Sequence, residues 1–162
     1  MAEGRPQSCT QVISRLAAPL AALVLVTALA AAFAQRYGDE GAAPAAGQAG
    51  VSSGVFTAEQ AERGAQVFAQ RCSGCHGAQL QGGMGPRLAP LSASWEGMSL
   101  AALYRFVSRN MPYDAPGSLE PQQYADVLAH VLASNGHPPG DAELPADAEA
   151  LEAFVIDSPP GR

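Results

Sequence analysis

No lysine occurs among the 162 residues; all nine basic side chains are arginine, set against fifteen acids for a formal charge of −6. A nucleic-acid binder needs a basic face to meet phosphates, and this balance argues against one. Aromatic residues make up only 6%, with a single tryptophan. Cysteine is scarce too: Cys9 lies near the N-terminus and only Cys72 and Cys75 fall in the body, which excludes a disulfide-built scaffold. No window carries a convincing alternation of apolar and polar residues, so strands are not expected. Glycine and proline, by contrast, are plentiful at 17 and 13. The length leaves room for one domain with additions, since domains mostly run about 100–150 residues.

Residues 1–34 read as a targeting segment. Arg5 and Arg15 precede nineteen uncharged residues, Leu16 to Ala34, which end in the small-x-small pattern Ala32-Phe33-Ala34. That is the layout of a cleaved signal peptide. The alternative is a retained membrane anchor, because nineteen helical residues reach about 28 Å, close to the hydrocarbon thickness of a bilayer. Nine alanines and Pro19 make the run only weakly lipophilic, which favours cleavage. Both readings export the remainder. Residues 35–54 are expected to form a Gly/Ala-rich linker, too poor in apolar surface to offset the entropy of ordering it. A tether of this kind would suit a membrane-held domain, so the anchor stays open.

The body, 55–137, reads as all-α. Thr57 with Gln60 three residues later suggests a capping box. Ala61, Gly64, Ala65, Val67 and Phe68 then follow at helical spacing. Gly64 costs about 1 kcal/mol inside a helix, so a close backbone approach is expected there. Ser99 can cap a second helix reaching about Arg109. Pro121 can open a third, whose face Tyr124, Val127, Leu128, Val131 and Leu132 is stopped by Asn135-Gly136. The stretch from Gly77 to Leu91 is too rich in Gly and Pro for regular structure. Residues 138–162 form an acidic C-terminal extension in which Leu151, Phe154, Val155 and Ile156 either clamp onto the domain or dock a partner. Three helices make a thin core, and small domains of this kind often rely on a metal, cofactor or disulfide.

Cys72-Ser73-Gly74-Cys75-His76 is the C-x-x-C-H signature of covalent haem attachment. Two thiols three residues apart can each add across a haem vinyl group while the adjacent imidazole meets the iron. A zinc site would need four ligands, yet His130 and His137 are separated by a helix and its end. A thioredoxin-like redox pair would need a βαβ setting that this chain lacks.

With Gly64-x-x-Val67-Phe68, Cys72-x-x-Cys75-His76-Gly77, Gly85-Pro86-x-Leu88, Trp95, Asn110-Met111-Pro112 and Tyr124 in order, the chain resembles a class I, mono-haem bacterial cytochrome c. The stretch from Met111 to Leu119 is similar to members found beside periplasmic quinoprotein dehydrogenases. The resemblance implies a cytochrome c fold of three to four helices around one covalent haem c. It implies thioether attachment through Cys72 and Cys75 and axial ligation of the iron by His76 and Met111. It also implies that the Pro86 carbonyl accepts from the His76 ring, that Leu88 packs in the haem's apolar shell, and that Trp95 either donates to a haem propionate or simply packs in the core. Met84 and Met98 read as filler; His130 and His137 are the rival ligands. Tyr124 is expected against Gly64 and Phe68.

The function implied is periplasmic one-electron transfer without catalysis. The alternative is a relay subunit of a larger oxidoreductase, such as an alcohol or quinoprotein dehydrogenase. Partners would be redox proteins, a periplasmic dehydrogenase or a terminal oxidase, with membrane contact through residues 16–34 if these are retained. Five arginines against three acids between Val55 and Asn110, then nine acids against Arg162 alone, suggest a lopsided charge that could steer such a partner. A solvated surface with an acidic tail is the plainer reading.

Overall fold

A computed structural model describes residues 47–161. The apolar run 16–34, with its signal-or-anchor question, and linker residues 35–46 lie outside them. Among the described residues, no helix is long and apolar enough to cross a membrane.

Among the described residues there are four α-helices: α1 Ala58–Arg71, α2 Ser73–His76, α3 Leu100–Asn110 and α4 Pro121–Ser134. Their ends follow local chemistry. The Thr57 hydroxyl accepts from the Gln60 amide at 3.1 Å, and the Ser99 hydroxyl accepts from the Ala102 amide at 3.3 Å, each satisfying an otherwise orphan donor of a first helical turn. Pro121 stands at the first position of α4, behind a reciprocal capping box of Glu120 and Gln123. Asn135 and left-handed Gly136 end that helix.

α1 packs chiefly on α4. The crossing runs over Gly64, where any Cβ would overlap the Asp126 carbonyl. The close approach expected from that glycine is therefore present. Arg63 fastens the same contact, pairing through Nε and Nη2 with Asp126 at 3.1 Å each and reaching Glu143 at 2.8 Å.

The boundaries drawn at Gly54 and His137 cut through one core. Instead of belonging to the linker, Ala49–Gly50 form strand β1, pairing in parallel with β2, Phe154–Val155, and Val51–Ser53 turn in a 3-10 helix. Val51 and Phe56 are fully buried, together with Leu100, Leu128, Leu132, Leu144 and Leu151. The C-terminal segment thus takes the clamping course, with a 3-10 helix at Ala150–Ala153. The second half of the expected Thr57–Gln60 capping box does not form, because the Gln60 side chain is used elsewhere. Its Nε2 donates to the Leu144 carbonyl at 3.1 Å, and its Oε1 accepts from the Leu144 amide at 2.7 Å. Composition hid this: the segment is polar on average, but Leu144, Leu151, Val155 and Ile156 are buried.

Tyr124 also departs from expectation. It lies in the main core, edge-on to Tyr104 at 6.4 Å, whereas Phe68 belongs to a second, smaller cluster and meets His130 at 5.3 Å.

Candidate functional site

The end of α1 and the whole of α2 put both cysteines and the histidine on one helical turn. The Cys72 amide still donates to the Phe68 carbonyl at 2.9 Å, closing α1. Its own carbonyl accepts from the amides of Cys75 at 3.1 Å and His76 at 3.0 Å, opening the next turn. Residues three and four apart in a helix share a face, so the two thiols and the imidazole are grouped by backbone geometry alone. Cys72 and Cys75 are unpaired and partly buried. Burial pushes the Cys72 thiol above its ordinary range, with neighbouring Arg71 opposing the shift. Among the described residues, no group of three or more His, Cys, Asp or Glu could hold a metal ion by itself.

His76 is 8% exposed, and its Nδ1 lies 2.8 Å from the Pro86 carbonyl oxygen. A carbonyl carries no proton, so Nδ1 must donate and Nε2 keeps its lone pair. The loop after α2 is folded back to reach this arrangement. Gly82 donates to the His76 carbonyl at 2.7 Å and Gly85 to the Cys75 carbonyl at 2.9 Å. Gly85 lies flat against the ring; a Cβ there would sit 2.8 Å from the imidazole Cε1. Leu88 donates to the Leu80 carbonyl at 2.8 Å and packs, with Cys72, at the edge of the cluster of Phe68, Leu80, Val127 and Val131.

Asn135 holds the far end of this loop, a role that sequence reading missed by treating it only as a helix stop. Its Oδ1 accepts from the Leu91 amide at 2.6 Å and its Nδ2 donates to the Leu88 carbonyl at 2.7 Å. The one available signal was a residue able both to donate and to accept, placed where a helix ends in a buried position.

Trp95 and Met111 come from the other half of the fold. Trp95 ends a 3-10 turn, partly buried against the main core, with its ring 5.5 Å from that of Phe106. Met111 caps α3 and is partly buried. Met84 is 86% exposed and Met98 41%. His130 packs on Phe68 in the α1–α4 contact, where burial lowers its pKa. His137 is buried at the junction of the two ends of the fold, with Nδ1 3.3 Å from the Ser52 hydroxyl. The structure thus links Cys72, Cys75, His76, Pro86 and Leu88 directly. Arg71, next to Cys72, donates to the Ser118 hydroxyl at 3.1 Å and so joins that turn to the loop after Met111.

This donor set fits a covalently held haem. Two unpaired thiols share a turn with an imidazole whose Nε2 would be available to a metal in the neutral ring, and partly buried Leu88 and Leu91 beside Cys72 offer apolar contact. Residues 59–131, a little under half of the chain, match the family model described as cytochrome c oxidase, cbb3-type, subunit III. Comparison with curated proteins and with solved structures gives no match. The family match supports a cytochrome c, and with it haem-based electron transfer by a covalently bound c-type haem. The nearly all-helical architecture agrees with a cytochrome c fold.

Proposed function

We propose that the chain is an exported one-electron carrier, in which Cys72 and Cys75 would hold the haem through thioethers and His76 and Met111 would ligate its iron. The observation that carries this reading is the His76 Nδ1–Pro86 contact, which fixes the tautomer that a metal-ligating histidine needs. Bound haem would supply a single iron centre that cycles between ferric and ferrous states. The chain's own residues set how that centre behaves. The Pro86 carbonyl orients the imidazole and strengthens it as a donor. The Met111 thioether, bound to the iron, would raise the potential and leave no open site for a substrate, favouring transfer over catalysis. Leu88 and Trp95 would shield the centre from water.

The charge pattern supports a docking role. Arg63 and Arg105 are held in ion pairs, with Asp126 and Glu143 and with Glu152. Arg71, Arg87 and Arg109 are exposed and form no ion pair among the described residues. Each adjoins a proposed haem-contacting residue in sequence: Cys72, Pro86 and, two positions on, Met111. An acidic redox partner would be steered to that surface, and electron exchange with it should slow as salt is added.

A second reading is favoured by the matched family, whose description names a subunit of an oxidase. On it, the same haem works as an internal relay of a membrane oxidase or a periplasmic dehydrogenase. Purification from membranes separates the two: a carrier leaves alone, whereas a relay leaves with its catalytic subunit. The ligand assignment is tested by the weak thioether-to-iron band of the ferric protein. That band should be present in the native chain and absent from Met111→Ala.

A further inference from the structure

The loop from Met111 to Leu119 joins α3 to α4, and its ends converge on one side chain. Tyr124 is 3% exposed on α4. Its hydroxyl donates to the Met111 carbonyl at 2.8 Å and accepts from the Leu119 amide at 3.4 Å. The Met111 carbonyl also accepts from the Gly117 amide at 3.4 Å, so both of its lone pairs are engaged. Gly117 has a φ of +75°, a turn that brings the chain back over its own start. The Met111 amide donates to Val107 at 2.9 Å, fixing the residue from the helix side as well. The ring itself is held edge-on by Tyr104, whose hydroxyl bonds to the Pro121 and Ala146 carbonyls and not to this loop.

We infer that Tyr124 is a positioning residue for the sixth iron ligand: its hydroxyl straps the two ends of the loop and holds the Met111 backbone against loss of the thioether from iron. This rests on Met111 being that ligand. Without the strap, Met111 would be held by the weaker Gly117 contact and by its helix alone. The ligand would then leave the iron more readily, while the helices and the haem attachment would stay as they are.

The test measures imidazole binding to the ferric, haem-loaded protein, a reaction that requires Met111 to let go. The native chain, Tyr124→Phe and Tyr104→Phe are compared. Each phenylalanine variant removes one buried hydroxyl, but only the first hydroxyl touches the loop. Tyr124→Phe should bind imidazole about tenfold more tightly than the native protein, the scale expected for one good hydrogen bond and one long one. Tyr104→Phe should bind it as the native protein does. Affinities for Tyr124→Phe and the native chain within twofold of each other, with the thioether band present in both, would overturn the strap and leave Met111 ligation standing. A native ferric protein without that band would overturn both. Should Tyr124→Phe fail to accumulate, amide exchange in the native protein decides. A Leu119 amide protected well beyond the exposed amides of Tyr113 and Asp114 supports the strap, and exchange at their rate contradicts it.

Discussion

Two apolar clusters divide the described structure, and they are built on opposite terms. The larger gathers fifteen buried side chains from both ends of the domain, from Val51 to Ile156. The smaller has four, Phe68, Leu80, Val127 and Val131, and its partly exposed margin includes Cys72 and Leu88. Burial of apolar surface stabilises by about 25 cal/mol per Å², so the first cluster carries most of the fold's own stability. The second is the cluster that a covalently attached apolar group would complete. One part of the molecule holds itself together; the other, on the proposed reading, would be completed by its cofactor.

The sharpest way to break this division is Gly64→Ala. The added methyl meets the Asp126 carbonyl, a backbone atom that cannot step aside, and the α1–α4 contact serves both clusters. A loss of about 3 kcal/mol, the upper end for overpacking, should appear in denaturant unfolding of the holoprotein. Leu151→Ala acts on the closed cluster alone. It should cost about 2–4 kcal/mol by cavity formation while the haem spectrum stays native. Gln60→Ala removes both bonds to Leu144, leaves buried groups unpaired, and should cost about 1–3 kcal/mol, again with an unchanged spectrum.

Gly85→Ala sharpens the contrast from the other side. Its methyl would press on the His76 ring, so the reduced-minus-oxidised spectrum should shift, while chemical unfolding changes by under about 1 kcal/mol. Acid should produce the smallest effect. Asp147 accepts from the amides of Ala150 and Glu149, and Glu152 pairs with Arg105, which holds both carboxyls below their ordinary pKa. Their contribution is present above the unfolded carboxyl range and is lost as pH falls through the lower folded values. Amide exchange in residues 147–153 should therefore quicken below about pH 4 before that of α4 does.

How much of this was legible in the sequence differs between the same two regions. The attachment turn announces itself, because C-x-x-C-H places three reactive groups on one helical turn whatever surrounds it. Helix ends were readable where a cap or stop is local, as at Thr57, Ser99, Pro121 and Asn135. The closed core was not. Val51 and Leu144 lie far apart among small and acidic residues, and only the fold shows that β1 and β2 draw them together. Gln60 illustrates the limit: a local rule assigns it to a capping box, yet a partner 84 residues away claims its side chain. Tyr124 was expected beside Phe68, yet it packs in the main core against Tyr104. Periodicity places a residue on a face; it does not say which loop passes over that face.

The central claim is tested most directly by the intact mass of the protein matured in an export-competent host and measured after denaturation. Covalent attachment predicts the chain mass plus one haem, with the addition lost when Cys72 and Cys75 are both changed to serine. A native chain that reaches the same compartment with no added mass would contradict it.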